Sequence, residues 1–184
     1  RFKKAKISLP GGCAIGTRPI DIHLYGLEKL GIKFFVKKGY VIGQVKKDLK
    51  GSSITLPFSS VGATENIMMA SVLAKGKTEI LNAAKEPEID CLMDFLNLMG
   101  ANINRLNRNT IEILGVNYLK GFVHNVMPDR IEAGTYAMAA VITSGKIKLL
   151  NAEEKYLKNV LSYLKKAGAL IRTYSDSIEI EGPN

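Results

Sequence analysis

Hydrophobic residues along this chain follow two rhythms, every second residue and every third or fourth, and the switches between them mark out the elements. The stretch SSITLP (52–57) is short, β-branched and closed by Pro57, which predicts a strand. After it Ala63, Ile67, Ala70 and Ala74 stand at i, i+4, i+7 and i+11, the stripe of an amphipathic helix starting near Ala63, with Gly76 as its stop. TEILNAA (78–84) alternates as a strand again. EPEIDCLMDFLNLMG (86–100) carries Ile89, Leu92, Leu96 and Met99 on one helical face, with Pro87 near its start and Gly100 at its end. ANINRL (101–106) and TIEILG (110–115) read as two short strands joined by the turn-forming NRN. The order is βαβαββ.

That unit repeats. GKTEILNAA (76–84) returns as GKIKLLNAE (145–153), FLNLMGANI (95–103) as YLKKAGALI (163–171), and TIEILG (110–115) as SIEIEG (177–182). The offset shrinks by one residue at each successive match, as when single residues are lost from turns. The second copy is expected to open with GFVHNVM (121–127) as a strand and to continue through helices at about 130–143 and 154–167. A partial copy stands in front: AKISLP (5–10) as a strand, Ile20, Leu24, Leu27 and Leu30 as a helical face ended by Gly31, and IKFFVKKGYVIGQV (32–45) as the terminal strand pair. Its opening strand and helix are missing. The reading is therefore an α/β chain of about two and a half βαβαββ units, each too small to be comfortable without a sibling to pack against.

Composition narrows the partners. The 184 residues are 46% hydrophobic, as in a soluble globular protein, and 26 Lys+Arg against 17 Asp+Glu leave a net charge of +9 that favours anionic partners. The paired lysines (Lys3 and Lys4, Lys37 and Lys38, Lys46 and Lys47, Lys165 and Lys166) read as solvated surface. Tryptophan is absent and no aromatic residues interleave with a basic stripe, which disfavours a single-strand nucleic-acid binder. No apolar run approaches the roughly 20 residues of a membrane helix, and RFKKAKISLP lacks the pattern of a signal peptide. Cys13 and Cys91 stand far apart, outside any zinc or disulfide spacing, and fit a reducing cytoplasm. His23 and His124, also without ligand spacing, read as polar loop or helix residues.

Four motifs bear on function: GGCAIGTRPID (11–21), SVGATENIMMA (60–70), NAAKEPEI (82–89) and PDRIEAGT (128–135). In this order and at these distances they resemble the UDP-N-acetylglucosamine branch of the enolpyruvyl transferase family, along the whole chain. The resemblance implies an inverse α/β barrel fold of two similar domains, each of three βαβαββ units around a pseudo-threefold axis, with the site in the cleft between them. Residues 1–120 would then be part of one domain, one incomplete unit and one complete, and residues 121–184 a unit of the other. It implies transfer of the enolpyruvyl group of phosphoenolpyruvate to the 3-hydroxyl of UDP-N-acetylglucosamine with release of phosphate, the first committed step of peptidoglycan synthesis in the bacterial cytoplasm, without a cofactor. It also implies that family members are more than twice as long, so that several residues contacting substrate lie outside this chain, which alone should not turn over. The competing reading is an anion-binding module that kept a nucleotide-sugar pocket and lost the chemistry.

Each residue admits a plain reading beside the functional one. Cys13, between Gly11, Gly12 and Gly16, is either a reactive thiol near the cation of Arg18 or an inert loop thiol; the resemblance makes it the acid/base and nucleophilic cysteine that fosfomycin alkylates. Arg18 suits a phosphate or caps its own loop; the resemblance gives it to substrate and sets Pro19, Ile20, Asp21 and Ile22 along the uridine pocket, with His23 adjoining. Ser60, Val61 and Gly62, with Ser59, precede a helix whose free N–H groups favour a diphosphate, while Ser60 also reads as an N-cap. Phe58 stands where many relatives have a lysine, leaving Ser59 or a nearby lysine to compensate. Glu86 and Glu88 complement a helix dipole, with support of the site as the second possibility. Asp129, Arg130 and Glu132 read as an internal salt bridge at a hinge, although Asp129 could face the cleft, and Cys91 reads as a small buried apolar residue.

Overall fold

The computed structural model describes residues 3–11 and 19–183. The chain divides into two compact units, residues 1–124 and 125–184. The first begins with β1 (Lys4–Ser8), α1 (Asp21–Lys29), β2 (Lys33–Lys37) and β3 (Tyr40–Gln44), whose strands form an antiparallel sheet in the order β1-β3-β2. It continues with β4 (Ser53–Thr55), α2 (Val61–Ser71), β5 (Lys77–Leu81), α3 (Pro87–Leu98), β6 (Asn102–Asn107) and β7 (Thr110–Leu114). These strands lie in the order β4-β5-β7-β6, with β4 parallel to β5, as a strand pair bridged by a crossover helix must be, and the others antiparallel. The second unit holds α4 (Arg130–Ile142), β8 (Lys146–Leu150), α5 (Glu154–Lys166), β9 (Leu170–Thr173) and β10 (Ser177–Glu181), with sheet order β8-β10-β9.

Three expectations need correction. GFVHNVM forms no strand: residues 115–129 run without regular structure, and the part up to His124 is held on the first unit, along α2 and α3. Val116 N–H donates to Val72 O (2.9 Å), Lys120 N–H donates to Met99 O (2.9 Å), Leu119 packs on the core and His124 stacks on Phe95. Among the described residues the outer edge of β8 therefore has no partner, and a groove of about 350 Å³ opens between it and α4. The stripe on α1 is also shifted: Ile22, Gly26 and Leu30 are buried, whereas Ile20, Leu24 and Leu27 are only partly so. Finally, α2 ends at Ser71, short of Ala74, so Gly76 at φ +90° turns the chain into β5 rather than capping the helix.

The glycines that do cap sit at matching places in the repeat. Gly31, Gly100 and Gly168 follow α1, α3 and α5 at φ of +101°, +101° and +95°. Each donates to the carbonyl three residues back (Glu28, Asn97, Lys165), and the next amide reaches the carbonyl five back (Leu27, Leu96, Leu164). This paired-bond ending needs a left-handed residue, which glycine supplies without strain.

Burial of the equivalent strand position differs among the three sheets. Ile80 on β5, opposite Ile111, lies under α2 and α3 and beside β4, and is 0% exposed. Leu149 on β8 has α4 and α5 near its sheet but no strand at its edge, and is half-buried. Ile7 on β1, opposite Val41, belongs to the copy with one helix and is 66% exposed.

The incomplete copy is held by its contact with the complete one. α1 packs on α2 at Gly26, where an added Cβ would sit 2.1 Å from Ile67 Cδ1 and 2.5 Å from its Cγ1. Ile22 and Leu30 thereby join one core with Ile54, Ile67, Ile80 and Ile111. Ile67 is fully buried, so relief of the clash requires its side chain to shift within the core. Gly26→Ala should therefore destabilise: alanine's gain in helix propensity, about 1 kcal/mol, is outweighed by overpacking of about 1–3 kcal/mol. Urea denaturation should show a lower midpoint for Gly26→Ala and partial recovery in Gly26→Ala/Ile67→Val. A midpoint raised by the single change would mean that the two helices are not in contact there.

Candidate functional site

Cys13 and Arg18 lie outside the described residues. The segment that follows them enters α1: Pro19 is exposed, Ile20 half-buried and Asp21 exposed as the first helical residue, while Ile22 turns into the core and anchors the helix. His23, one residue on, faces α2. Its Nδ1 lies 2.7 Å from Asn66 Nδ2, the amide donating, which leaves the ring proton on Nε2. The Cε1–Nε2 edge lies against Gly62, where an added Cβ would meet Cε1 at 3.0 Å. The segment 19–23 and the start of α2 are thus brought together, with a glycine where the imidazole needs room.

Ser60 is the N-cap of α2. Its Oγ accepts from Ala63 N–H at 3.4 Å, and its carbonyl accepts from Thr64 N–H at 3.0 Å and from Thr64 Oγ1 at 2.7 Å. Val61 and Gly62 form the half-buried first turn, which contains no acidic residue. The first turn of α1 holds Asp21 and that of α3 holds Glu88 and Asp90. Those carboxylates offset the positive ends of their helices, whereas α2 keeps its own. Ser59 Oγ donates to Ala83 O at 3.5 Å, so its hydroxyl faces the loop after β5, and Phe58 is exposed beside it.

That loop is held by residues that periodicity does not reveal. Thr64, fully buried, donates to Ser60 O and accepts from Ala84 N–H at 3.1 Å. Arg105 on β6 donates to Ala84 O at 3.3 Å and makes a two-point ion pair with Asp90 Oδ1, Nε at 2.9 Å and Nη2 at 2.7 Å. The Ala84 peptide is therefore fixed at both ends, just ahead of Glu86, whose Oε2 accepts from Lys85 N–H at 2.8 Å. Asn82 Nδ2 also donates to Leu56 O at 3.1 Å. The nearest sequence signal was Thr64 itself, a hydroxyl one turn after a serine N-cap on an otherwise apolar helix face.

In the second unit Asp129 is the N-cap of α4, its Oδ1 accepting from Ile131 N–H at 2.8 Å and Glu132 N–H at 3.0 Å. Capping α4 is thus one role of Asp129. Arg130 begins that helix. Cys91 is not a buried apolar residue: it is half-exposed on α3, with Sγ 3.4 Å from His124 Nε2. Among the described residues no three His, Cys, Asp or Glu side chains are grouped to hold a metal, and no helix is long and apolar enough to cross a membrane.

One carboxyl at this end is perturbed. Burial first, and then the nearby Glu88, raise Glu65 above its ordinary value, while His23 pulls it down. The folded state thus binds that proton more tightly than the unfolded state does. The stability this contributes is complete below the ordinary carboxylate range and is lost as pH rises through the raised value. Thermal melting should accordingly show Glu65→Gln more stable than the parent at neutral pH, the two converging at about pH 4. A gap that does not change with pH would place the effect elsewhere.

The comparisons agree along the whole chain. Residues 1–184 match the family described as EPSP synthase (3-phosphoshikimate 1-carboxyvinyltransferase). Over 182 residues the chain is 50% identical to UDP-N-acetylglucosamine 1-carboxyvinyltransferase of Pelagibacter ubique, covering 99% of this chain and 44% of that protein. It is 54% identical over 182 residues to UDP-N-acetylglucosamine 1-carboxyvinyltransferase 2 of Clostridium tetani, covering 99% and 43%. The chain spans less than half the length of these curated relatives. Among solved structures, the enolpyruvyl transferase NikO from Streptomyces tendae aligns with a TM-score of 0.82 at 16% identity, covering 100% of this chain and 44% of that one. EPSP synthase from Acinetobacter baumannii aligns with a TM-score of 0.63 at 24% identity, covering 89% and 40%. The fold is that of the enolpyruvyl transferases, and the chain belongs to the EPSP synthase family.

Proposed function

We propose that this chain is part of a UDP-N-acetylglucosamine enolpyruvyltransferase, which moves the enolpyruvyl group of phosphoenolpyruvate to the sugar 3-hydroxyl and releases phosphate. The observation that carries this reading is the meeting of two segments: Pro19–His23, directly after Cys13 and Arg18, lies against the acid-free N-terminus of α2 at Ser60–Gly62. A helix end with unneutralised N–H groups and an imidazole N–H beside it accepts the diphosphate of a nucleotide sugar. Pro19, Ile20 and Asp21, on the same side, are available to the uridine. Arg18 serves the phosphate of phosphoenolpyruvate through paired charge-assisted bonds. Cys13 exchanges a proton, or forms a covalent adduct, at its reacting carbon. About 50% identity to two proteins bearing this activity in their names supports the assignment.

In this reading Glu86 and Glu88 hold the loop behind the α2 end rather than touch substrate, and Asp129 and Arg130 shape the start of α4. Phe58 removes one cation, which leaves the phosphates more dependent on the α2 amides. Both substrates are cytoplasmic metabolites, so the protein works there, in peptidoglycan synthesis, with no cofactor. The compact units 1–124 and 125–184 belong to its two domains, and turnover needs groups from the rest of a protein more than twice this length.

Fosfomycin added with UDP-N-acetylglucosamine should alkylate Cys13 and spare Cys91, as peptide mass mapping reads directly. Equal labelling of both thiols, or of neither, would count against the assignment of Cys13. Phosphate release from phosphoenolpyruvate plus UDP-N-acetylglucosamine should be undetectable for the 184-residue chain. Robust turnover would show that its own residues suffice.

A further inference from the structure

A second thiol site stands on α3, apart from the proposed substrate site. Cys91 and Phe95 lie one helical turn apart, and the same imidazole engages both. His124 Nε2 is 3.4 Å from Cys91 Sγ, and its ring stacks on Phe95 with centroids 5.2 Å apart and planes inclined by 29°. Both Cys91 and His124 are partly exposed rather than sealed in the core. Cys91 lies beyond the first turn of α3, which begins at Pro87. The helix end is therefore not what activates it, since that influence fades within one turn. The imidazole is the group in position to take its proton.

His124 also ends a strap. From Gly115 the chain is tied down by Gly115 N–H to Gly76 O (3.0 Å), Val116 N–H to Val72 O (2.9 Å) and Lys120 N–H to Met99 O (2.9 Å). Between Lys120 and the boundary of the unit at His124, Gly121, Phe122 and Val123 are all exposed. Among the described residues, no backbone hydrogen bond between elements involves residues 121–124. The Cys91–Phe95–His124 contact is what fastens this last stretch.

We propose that Cys91 and His124 form a thiol–imidazole pair that makes Cys91 a site of S-thiolation by low-molecular-weight disulfides, and that modification frees the strap from α3. In the step, His124 Nε2 takes the thiol proton and Cys91 Sγ attacks one sulfur of the disulfide. The sulfur–sulfur bond of the reagent breaks as the new one forms, and the departing thiolate takes the proton back from the imidazolium. Cys91 is oxidised to a mixed disulfide, and the departing half of the reagent is reduced to a thiol. The added group occupies the place of the imidazole, which must leave both the sulfur and the Phe95 face.

The test uses the full chain as Cys13→Ser, in which Cys91 is the only thiol. Reaction with 5,5′-dithiobis(2-nitrobenzoate) should be roughly tenfold slower after His124→Gln, as the sulfur loses the neighbouring acceptor for its proton. An equal or faster rate in the glutamine variant would show that the imidazole merely shields the sulfur and would overturn the pairing. Treating the Cys13→Ser chain with glutathione disulfide should then raise amide hydrogen exchange at Lys120 by roughly tenfold, as a lost anchor exposes its bond to Met99. Unchanged protection there would overturn the release of the strap. Because this second measurement leaves Cys91 and His124 unaltered, a folding defect in the glutamine variant does not decide the outcome.

Discussion

The first unit depends on how closely α1 approaches α2, and that distance is set by the absence of a side chain at Gly26. The partner that buries the inner face of α1 is α2 of the next copy. With Ile67 lying against the bare glycine backbone, Ile22 and Leu30 reach the same core as the strands of the second sheet. The helix contacts advance in the same direction, His23 against Gly62 and Asn66, then Gly26 against Ile67. Core packing and site assembly are therefore a single event. Any change that pushed α1 outward would withdraw the imidazole from the α2 N-terminus as well.

The other side of the site is fixed by polar bonds instead of apolar packing. Loops cannot bury much hydrophobic area, and an exposed loop ordinarily moves. Here the loop after β5 is held through a single peptide, Ala84, whose N–H meets Thr64 and whose carbonyl meets Arg105. Thr64 is itself tied to the Ser60 carbonyl, so the cap of α2 and the approach to α3 share one buried hydroxyl. Preorganisation of this kind spares a binding site the entropy of ordering its walls when ligand arrives.

Much of this was legible in the chain because it is written more than once. The order of helices and strands, the glycine endings at 31, 100 and 168, and the helix starting behind Ser60 all follow from patterns that recur at nearly fixed spacing. Where the pattern misled, a tertiary contact had overridden it. GFVHNVM has the composition of a strand, but its His124 is drawn to Phe95 and Cys91. The leucines of α1 look like its core stripe, yet a glycine, which hydrophobic periodicity cannot see, lies at the tightest contact. Asp129 also caps α4 through the amides two and three residues on, a role that its place beside Arg130 does not announce. Asn66, Thr64 and Arg105 act across 20 to 43 residues of chain through single hydrogen bonds, which leave no periodic trace. The roles of Cys13 and Arg18 rest on the match of whole motifs, since bare sequence leaves each with two readings.

The edge of β8, unpaired among the described residues, carries a different consequence. An unpaired strand edge is a template for any other extended chain, and Leu150, 71% exposed, would favour such an encounter. Lysines at 146 and 148 alternate along the same strand, held toward Glu181 and Glu179 on β10 at 3.4 and 3.6 Å. Two strands of this sequence brought edge to edge would set ammonium groups against one another. Charge along this edge opposes the pairing that its exposed leucine favours.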